Sequence, residues 1–191
     1  MKWLLTLLFL GCVGAVAGEA VTVTVCYNYG CLSQSEVVYA DTQLRRVSDL
    51  LADARSAGHE RALLGVAIGW MLGWAGEQSP ISADRGGNLA DDEVYGRMDC
   101  IDHSTTTTRL LRVLEEREWL HFHRVLDPVK RTHLWLFDHF SAQIAENAPT
   151  EEARGAARYV VDSWFVDNGQ PAAVMSLEKW LDGGSADDNE P

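Results

Sequence analysis

Residues 61 to 75, RALLGVAIGWMLGWA, carry a charge at Arg61 and none after it. A helix that is apolar all round has no side to give to water, so this segment is read as a helix buried on most faces, with the rest of the chain laid around it. Its Trp and Met residues are core. Gly65, Gly69, Gly73 and Gly76 recur along it at a spacing that lets another element approach closely. Pairs of membrane helices use a similar spacing, but packing inside a globular domain is the reading adopted. A chain of 191 residues at 47% hydrophobic content suits one such domain.

Residues 1–17 have the pattern of a secretory signal: Lys2 gives the charge, Trp3 to Leu10 the apolar stretch, and Ala15-Val16-Ala17 the small-residue cleavage site. The apolar run is shorter than the roughly 20 residues of a spanning helix. Phe9-Leu10-Gly11 before Cys12 makes a poor lipobox, so Cys12 is expected to leave with the signal. The mature domain is expected over 18–182, periplasmic or secreted and not integral to the membrane, with an acidic disordered tail at 183–191. A scaffold held at the membrane by an uncleaved signal is a rival reading. The formal charge of -12 argues against a nucleic-acid partner, which needs a basic surface to displace counterions from phosphates.

Removal of Cys12 leaves Cys26, Cys31 and Cys100 in a compartment that permits disulfides. Cys26 and Cys31 flank the turn-like Tyr27-Asn28-Tyr29-Gly30 after the strand-like Val21 to Val25, which predicts a local hairpin disulfide. Cys100 then has no partner, and an unpaired thiol in an exported protein is either buried and inert or kept free for chemistry.

Leu44, Val47, Leu50, Leu51 and Ala54 predict a first helix stopped by Gly58. Ser79 to Gly96, rich in Gly, Asp, Asn and Pro, reads as a long loop. It leads into Met98-Asp99-Cys100-Ile101-Asp102-His103-Ser104 and an amphipathic helix with Leu110, Leu111, Val113 and Leu114. Cys100 thus starts a helix, where the peptide dipoles and unpaired N–H groups favour a thiolate. Asp99 and Asp102 push the other way, and a capping Asp102 beside a buried structural Cys100 is the bland alternative.

The remainder reads as strands at Trp119–Val125, Thr132–Phe137, His139–Ala145 and Arg158–Val166. An acid inside the apolar run Tyr159 to Val166 is costly unless paired, and His139 on a neighbouring strand is a natural partner for Asp162. In a Cys-His-Asp triad the His takes the thiol proton and the Asp fixes its tautomer. His103 is a rival base. His121 and His123 could face one way and hold a metal, yet nothing completes four ligands, so they are read as a solvent-facing pair on an edge strand.

A Cys at a helix start, then His and Asp on successive strands, resembles the transglutaminase-like superfamily, and in particular its bacterial periplasmic cysteine proteinases. Asp99-Cys100-Ile101-Asp102 matches their Asp-Cys-x-Asp segment, and the interval to His139 fits. The interval to Asp162 is longer, accommodated by the polar stretch Glu146 to Gly155. Asp167 also resembles the acidic position; Asp162 is preferred because Asp162-Ser163-Trp164 sets an aromatic beside the acid. Phe140-Ser141 after His139 departs from the small residue and Trp or Met of many members. The resemblance covers residues 84 to 170.

It implies an α+β papain/transglutaminase-like fold, N-terminal helices packed on an antiparallel sheet, with the nucleophile Cys100 at a helix N-terminus and His139 and Asp162 completing the triad. It implies a cysteine peptidase or amidase acting on a protein or peptide through a thioester, without a small-molecule cofactor. In that branch acids near the Cys bind calcium, which makes Asp102 a candidate ligand, although one carboxylate does not make a site. The oxyanion would take the Cys100 N–H and a second donor sought in Gln78 to Asn88. The alternative is a catalytically inactive exported domain of the same fold that binds a peptide or a cell-envelope partner.

Overall fold

A computed structural model describes residues 20–87, 91, 93–133, 137–147 and 157–188. The signal reading at 1–17 and the end of the acidic tail at 189–191 lie outside them. The described part is α+β, with two antiparallel sheets and four helices.

The first sheet is a hairpin of β1 (Val21–Tyr27) and β2 (Ser33–Tyr39), in register from Val21 opposite Tyr39 to Tyr27 opposite Ser33. Helices α1 (Asp41–Ala52) and α2 (Ala57–Gly76) follow, then a 3-10 turn at Pro80–Ala83 and α3 (Cys100–Glu116). The second sheet has the order β3 (His123–His133), β4 (Phe137–Glu146), β5 (Arg158–Asp162), β6 (Ala173–Ser176), and the short α4 (Leu177–Leu181) ends it. Helix α3 packs on β1 on one side and on β3 and β4 on the other, which joins the two sheets through the helix that starts with Cys100.

Gly58 does not stop α1. It lies in the first turn of α2, which starts where Ser56 Oγ accepts the His59 N–H at 3.2 Å. A capped first turn tolerates a glycine better than a helix interior does. Strand β3 also begins later than expected, Trp119 to Phe122 being an irregular segment with a bend at His121–Phe122, and the chain then runs extended through Pro128. The register shifts between Leu126 and Val129, where a residue without an N–H is admissible on the edge strand. Of the strand expected over Thr132–Phe137, Thr132 and His133 end β3 and Phe137 starts β4, while 134–136 lie outside the described residues. Strand β2 and the β6–α4 unit had no counterpart in the expectations. In β2 only Val37 and Tyr39 are buried, too few to give an apolar period.

The glycine spacing of α2 has the purpose expected of it. The segment Asn168 to Val174 lies along that face, with the Ala172 N–H bonded to Gly65 O at 3.0 Å and Asn168 Nδ2 to Leu72 O at 3.2 Å. A Cβ on Gly69 would sit 2.6 Å from Gln170 O and 2.9 Å from Pro171 N, whereas one on Gly73 would meet Gly169 Cα at 3.3 Å. Gly69→Ala must therefore push backbone away from backbone and should cost about 1–3 kcal/mol. In Gly73→Ala a milder contact is offset by the roughly 1 kcal/mol that Ala gains over Gly in a helix. Thermal unfolding of the two variants checks this: Tm should fall by about 4–10 °C for the first and stay nearly unchanged for the second.

Ala186–Asp188 form a 3-10 turn in which Asp188 accepts the Ser185 N–H at 3.0 Å and faces Lys179 Nζ at 3.5 Å.

Candidate active site

Three elements bring Cys100, His139 and Asp162 together. Cys100 is the first residue of α3, half-buried, with its thiol 3.8 Å from the carbonyl oxygen of Asp138. His139 comes from β4, and its Nε2 lies 2.8 Å from Asp162 Oδ2 at the end of β5. That bond leaves Nδ1 as the ring nitrogen not taken by the acid, and Cys100 lies close enough to the ring to raise its pKa. Asp162 is buried, and its other partners are the Trp164 N–H on Oδ1 at 3.2 Å and Trp180 Nε1 on Oδ2 at 2.9 Å. Of the two candidate acids it is Asp162 that meets His139; Asp167 is exposed and accepts the Gly86 N–H at 3.0 Å.

Aromatic rings enclose the histidine: Trp164, Phe165 and Trp180 have centroids 4.9, 5.5 and 5.6 Å from its own. Burial pulls the imidazolium down. The hydrogen bonds and charges of Asp162 and Cys100 outweigh it and raise the ring from 6.5 to about 9. A ring raised this far favours the imidazolium at neutral pH, with its Nε2–H on the carboxylate.

The start of α3 is built by two acids. Asp99 Oδ1 accepts the Asp102 N–H at 2.8 Å, and Asp102 Oδ2 accepts the Asp99 N–H at 3.2 Å. Their remaining capacity goes to the tip of the β1–β2 hairpin: Tyr29 N–H to Asp102 Oδ2 at 2.8 Å, Gly30 N–H to Asp99 Oδ2 at 2.9 Å, Cys31 N–H to Asp102 Oδ1 at 2.6 Å. These N–H groups converge because Asn28, Tyr29, Gly30 and Cys31 all have positive φ, between 60° and 66°, a left-handed turn that successive non-Gly residues rarely sustain. The expected disulfide between Cys26 and Cys31 closes it, with Cα atoms 4.6 Å apart. Both sulfurs lie near Asp102, but joined to each other they offer no thiolate to a metal, and Asp102 spends its oxygens on backbone N–H groups. Burial and the charge of Asp99 push Asp102 up to about 6, against the pull of those N–H donors.

The N–H groups of Cys100 and Ile101, first and second in α3, have no acceptor inside the helix. They are donors available to an anion at the thiol. In the stretch expected to offer a second donor, the Gln78 side chain is bonded to Val38 and Trp74, and the Gly86 and Gly87 N–H groups go to Asp167 and Trp164 O. Asn88 lies outside the described residues.

His103 is a strut and not a base. Its ring is buried, Nε2 lies 3.0 Å from Asp84 Oδ2 and Nδ1 2.9 Å from Ser163 Oγ, which also meets Thr107 Oγ1 at 2.9 Å. Asp84 in turn accepts the Met98 N–H at 2.8 Å. The network ties α3 to the residue after Asp162. Nor do His121 and His123 form a solvent-facing pair. His123 is buried with Nδ1 2.8 Å from Glu60 Oε1, while the exposed His121 gives its backbone N–H to Glu60 Oε2 at 2.6 Å. A carboxylate buried in α2 needs donors, and it takes them from the turn before β3.

Trp180, Asp84 and Ser163 join the site without a motif of their own in the sequence. Ser163 adjoins Asp162, and Trp180 is the one aromatic of the Leu177 to Leu181 stretch, the signals by which both could be found. No protein-family model, curated protein or solved structure matches the chain. Among the described residues, no helix is long and apolar enough to cross a membrane.

Proposed function

We propose that this chain is an exported cysteine hydrolase of the transglutaminase-like type, acting on amide bonds of a protein or peptide. The observation that carries the reading is the convergence of Cys100, His139 and Asp162, with the sulfur at the first turn of α3 beside the residue before His139 and His139 Nε2 bonded to the acid. The Cys26–Cys31 disulfide supports an oxidising compartment.

The chemistry follows from the ring. In this cycle the thiol proton has passed to His139 Nδ1, and Sγ is the nucleophile. Sγ attacks the amide carbonyl carbon, and the carbonyl electrons move to oxygen, where the N–H groups at the start of α3 meet the charge. Collapse breaks the C–N bond, His139 Nδ1–H gives its proton to the departing amine, and a thioester remains. Neutral His139 then takes a proton from water, whose oxygen attacks the thioester. Loss of the sulfur regenerates thiolate and imidazolium and releases the carboxylic acid. An amine in place of water would give transfer.

The test is the pH dependence of Cys100 alkylation by iodoacetamide in the protein and in His139→Ala. The expected result is a thiol reactive below about pH 7 that loses this reactivity in the variant. A thiol inert until the protein unfolds would overturn the proposal and leave the fold as a binding module.

A further inference from the structure

We infer that Trp180 is a positioning residue of the site, its indole N–H sharing Asp162 with His139 and so setting how tightly the imidazole holds its proton; the inference rests on the triad reading above.

Trp180 is fully buried, and its Nε1 donates at 2.9 Å to Asp162 Oδ2, the same oxygen that takes His139 Nε2 at 2.8 Å. A buried indole N–H needs an acceptor, and a backbone carbonyl would serve. Here it meets the acid of the triad. Nor is the indole there by default of its own helix. Helix α4 has five residues, too short to be stable alone, and it is latched from the side of the site: Arg131 donates to the carbonyl oxygens of Trp180 and, at 3.1 Å, Gly184, with its guanidinium carbon 4.7 Å from the Trp180 ring centre. Arg131 stands opposite His139 in the β3–β4 register. One residue thus fixes the indole from the strand next to the histidine.

The consequence is electrostatic. Two donors on one oxygen divide its charge, so His139 faces a weaker acceptor than an unshared carboxylate. The charged groups around the ring are Cys100 from α3 and Asp162 from β5, with Arg131 from β3 acting on Asp162. An imidazolium bound too tightly cannot pass its proton to a leaving amine or take one from water near neutral pH. The shared acceptor moderates that.

The test replaces the N–H and keeps the ring. Trp180→Phe removes the donor with part of the packing, and Trp180→benzothienylalanine exchanges N–H for sulfur at nearly constant shape. The readout is the titration of the His139 ring protons by NMR. The expected result in both is a midpoint raised by about 1 pH, the worth of one hydrogen bond to a charged group. A midpoint unchanged or lowered in the benzothienylalanine protein overturns the inference and makes Trp180 core packing alone; that variant decides the matter if Trp180→Phe does not fold. Failure of the triad reading shows separately, as Cys100 alkylation in the unsubstituted protein that is indifferent to His139→Ala.

Discussion

Asp162→Asn lowers the His139 titration midpoint from about 9 to its ordinary value near 6.5 or below, and slows Cys100 alkylation at pH 6 by about 100-fold. The amide can keep an oxygen toward His139 Nε2 and Trp180 Nε1, so the tautomer survives. Its NH₂ group then faces the Trp164 N–H, donor against donor. The lost charge matters more, because burial already opposes the imidazolium and Asp162 supplies much of what outweighs it. Without the imidazolium Sγ loses the cation beside it. Stability carries the same signature. A ring raised in the folded state contributes stability that is fully present below about pH 6.5 and is lost as the pH rises through about 9, on the order of 3 kcal/mol in total. Thermal unfolding of the unsubstituted protein should therefore show Tm falling between these pH values, and Asp162→Asn should flatten that slope. An unchanged slope with an unchanged alkylation rate would remove Asp162 from the site.

The parts of this site that were legible in the sequence are those set by local pattern. Cys100 follows an acid and opens an amphipathic helix, and Asp162 sits in an apolar run where a lone carboxylate is costly, so each announces its place without reference to the fold. The disulfide was legible because its two cysteines flank a turn. What was not legible depends on contacts between distant segments. Trp180 is one aromatic near an acidic end until β6 turns α4 back onto Asp162. Glu60 sits at the start of the apolar α2, where a charge is ordinary, and only the arrival of the turn before β3 makes it a buried anchor. His123 was assigned to a solvent-facing strand by period-two alternation, and the alternation failed because the strand begins at His123 itself. Strand β2 escaped because an edge with two buried residues leaves little apolar period to read.

Asp102→Ala should be the most destabilising single change at the start of α3, lowering Tm by about 6–12 °C for a loss of about 3 kcal/mol. The carboxylate accepts from Tyr29, Cys31 and Asp99. Ala leaves those N–H groups without their acceptor, each worth about 1–3 kcal/mol where water cannot replace it. The cost is reduced because the buried charge itself is unfavourable: Asp102 is raised from 3.8 to about 6. A carboxyl raised on folding favours the fold when protonated, so its ionisation costs stability as pH rises from about 4 through 6, the reverse of an ordinary paired acid. Asp102→Ala should therefore lose least at neutral pH and most near pH 4, and Tm measured at both separates this from a simple loss of hydrogen bonds. The disulfide makes a second axis. With Cys26–Cys31 intact, the left-handed turn remains closed without Asp102; with Cys26 and Cys31 both changed to Ser, Asp102 and Asp99 still accept from positions 29, 30 and 31 at positive φ, beside the bonds of Asn28 to Arg97 O and to the Gly96 N–H. The two devices restrain one turn, so removing both should cost more than the sum of the separate losses. Strict additivity in that double-mutant cycle would mean that the carboxylates and the disulfide act on independent features of the hairpin tip.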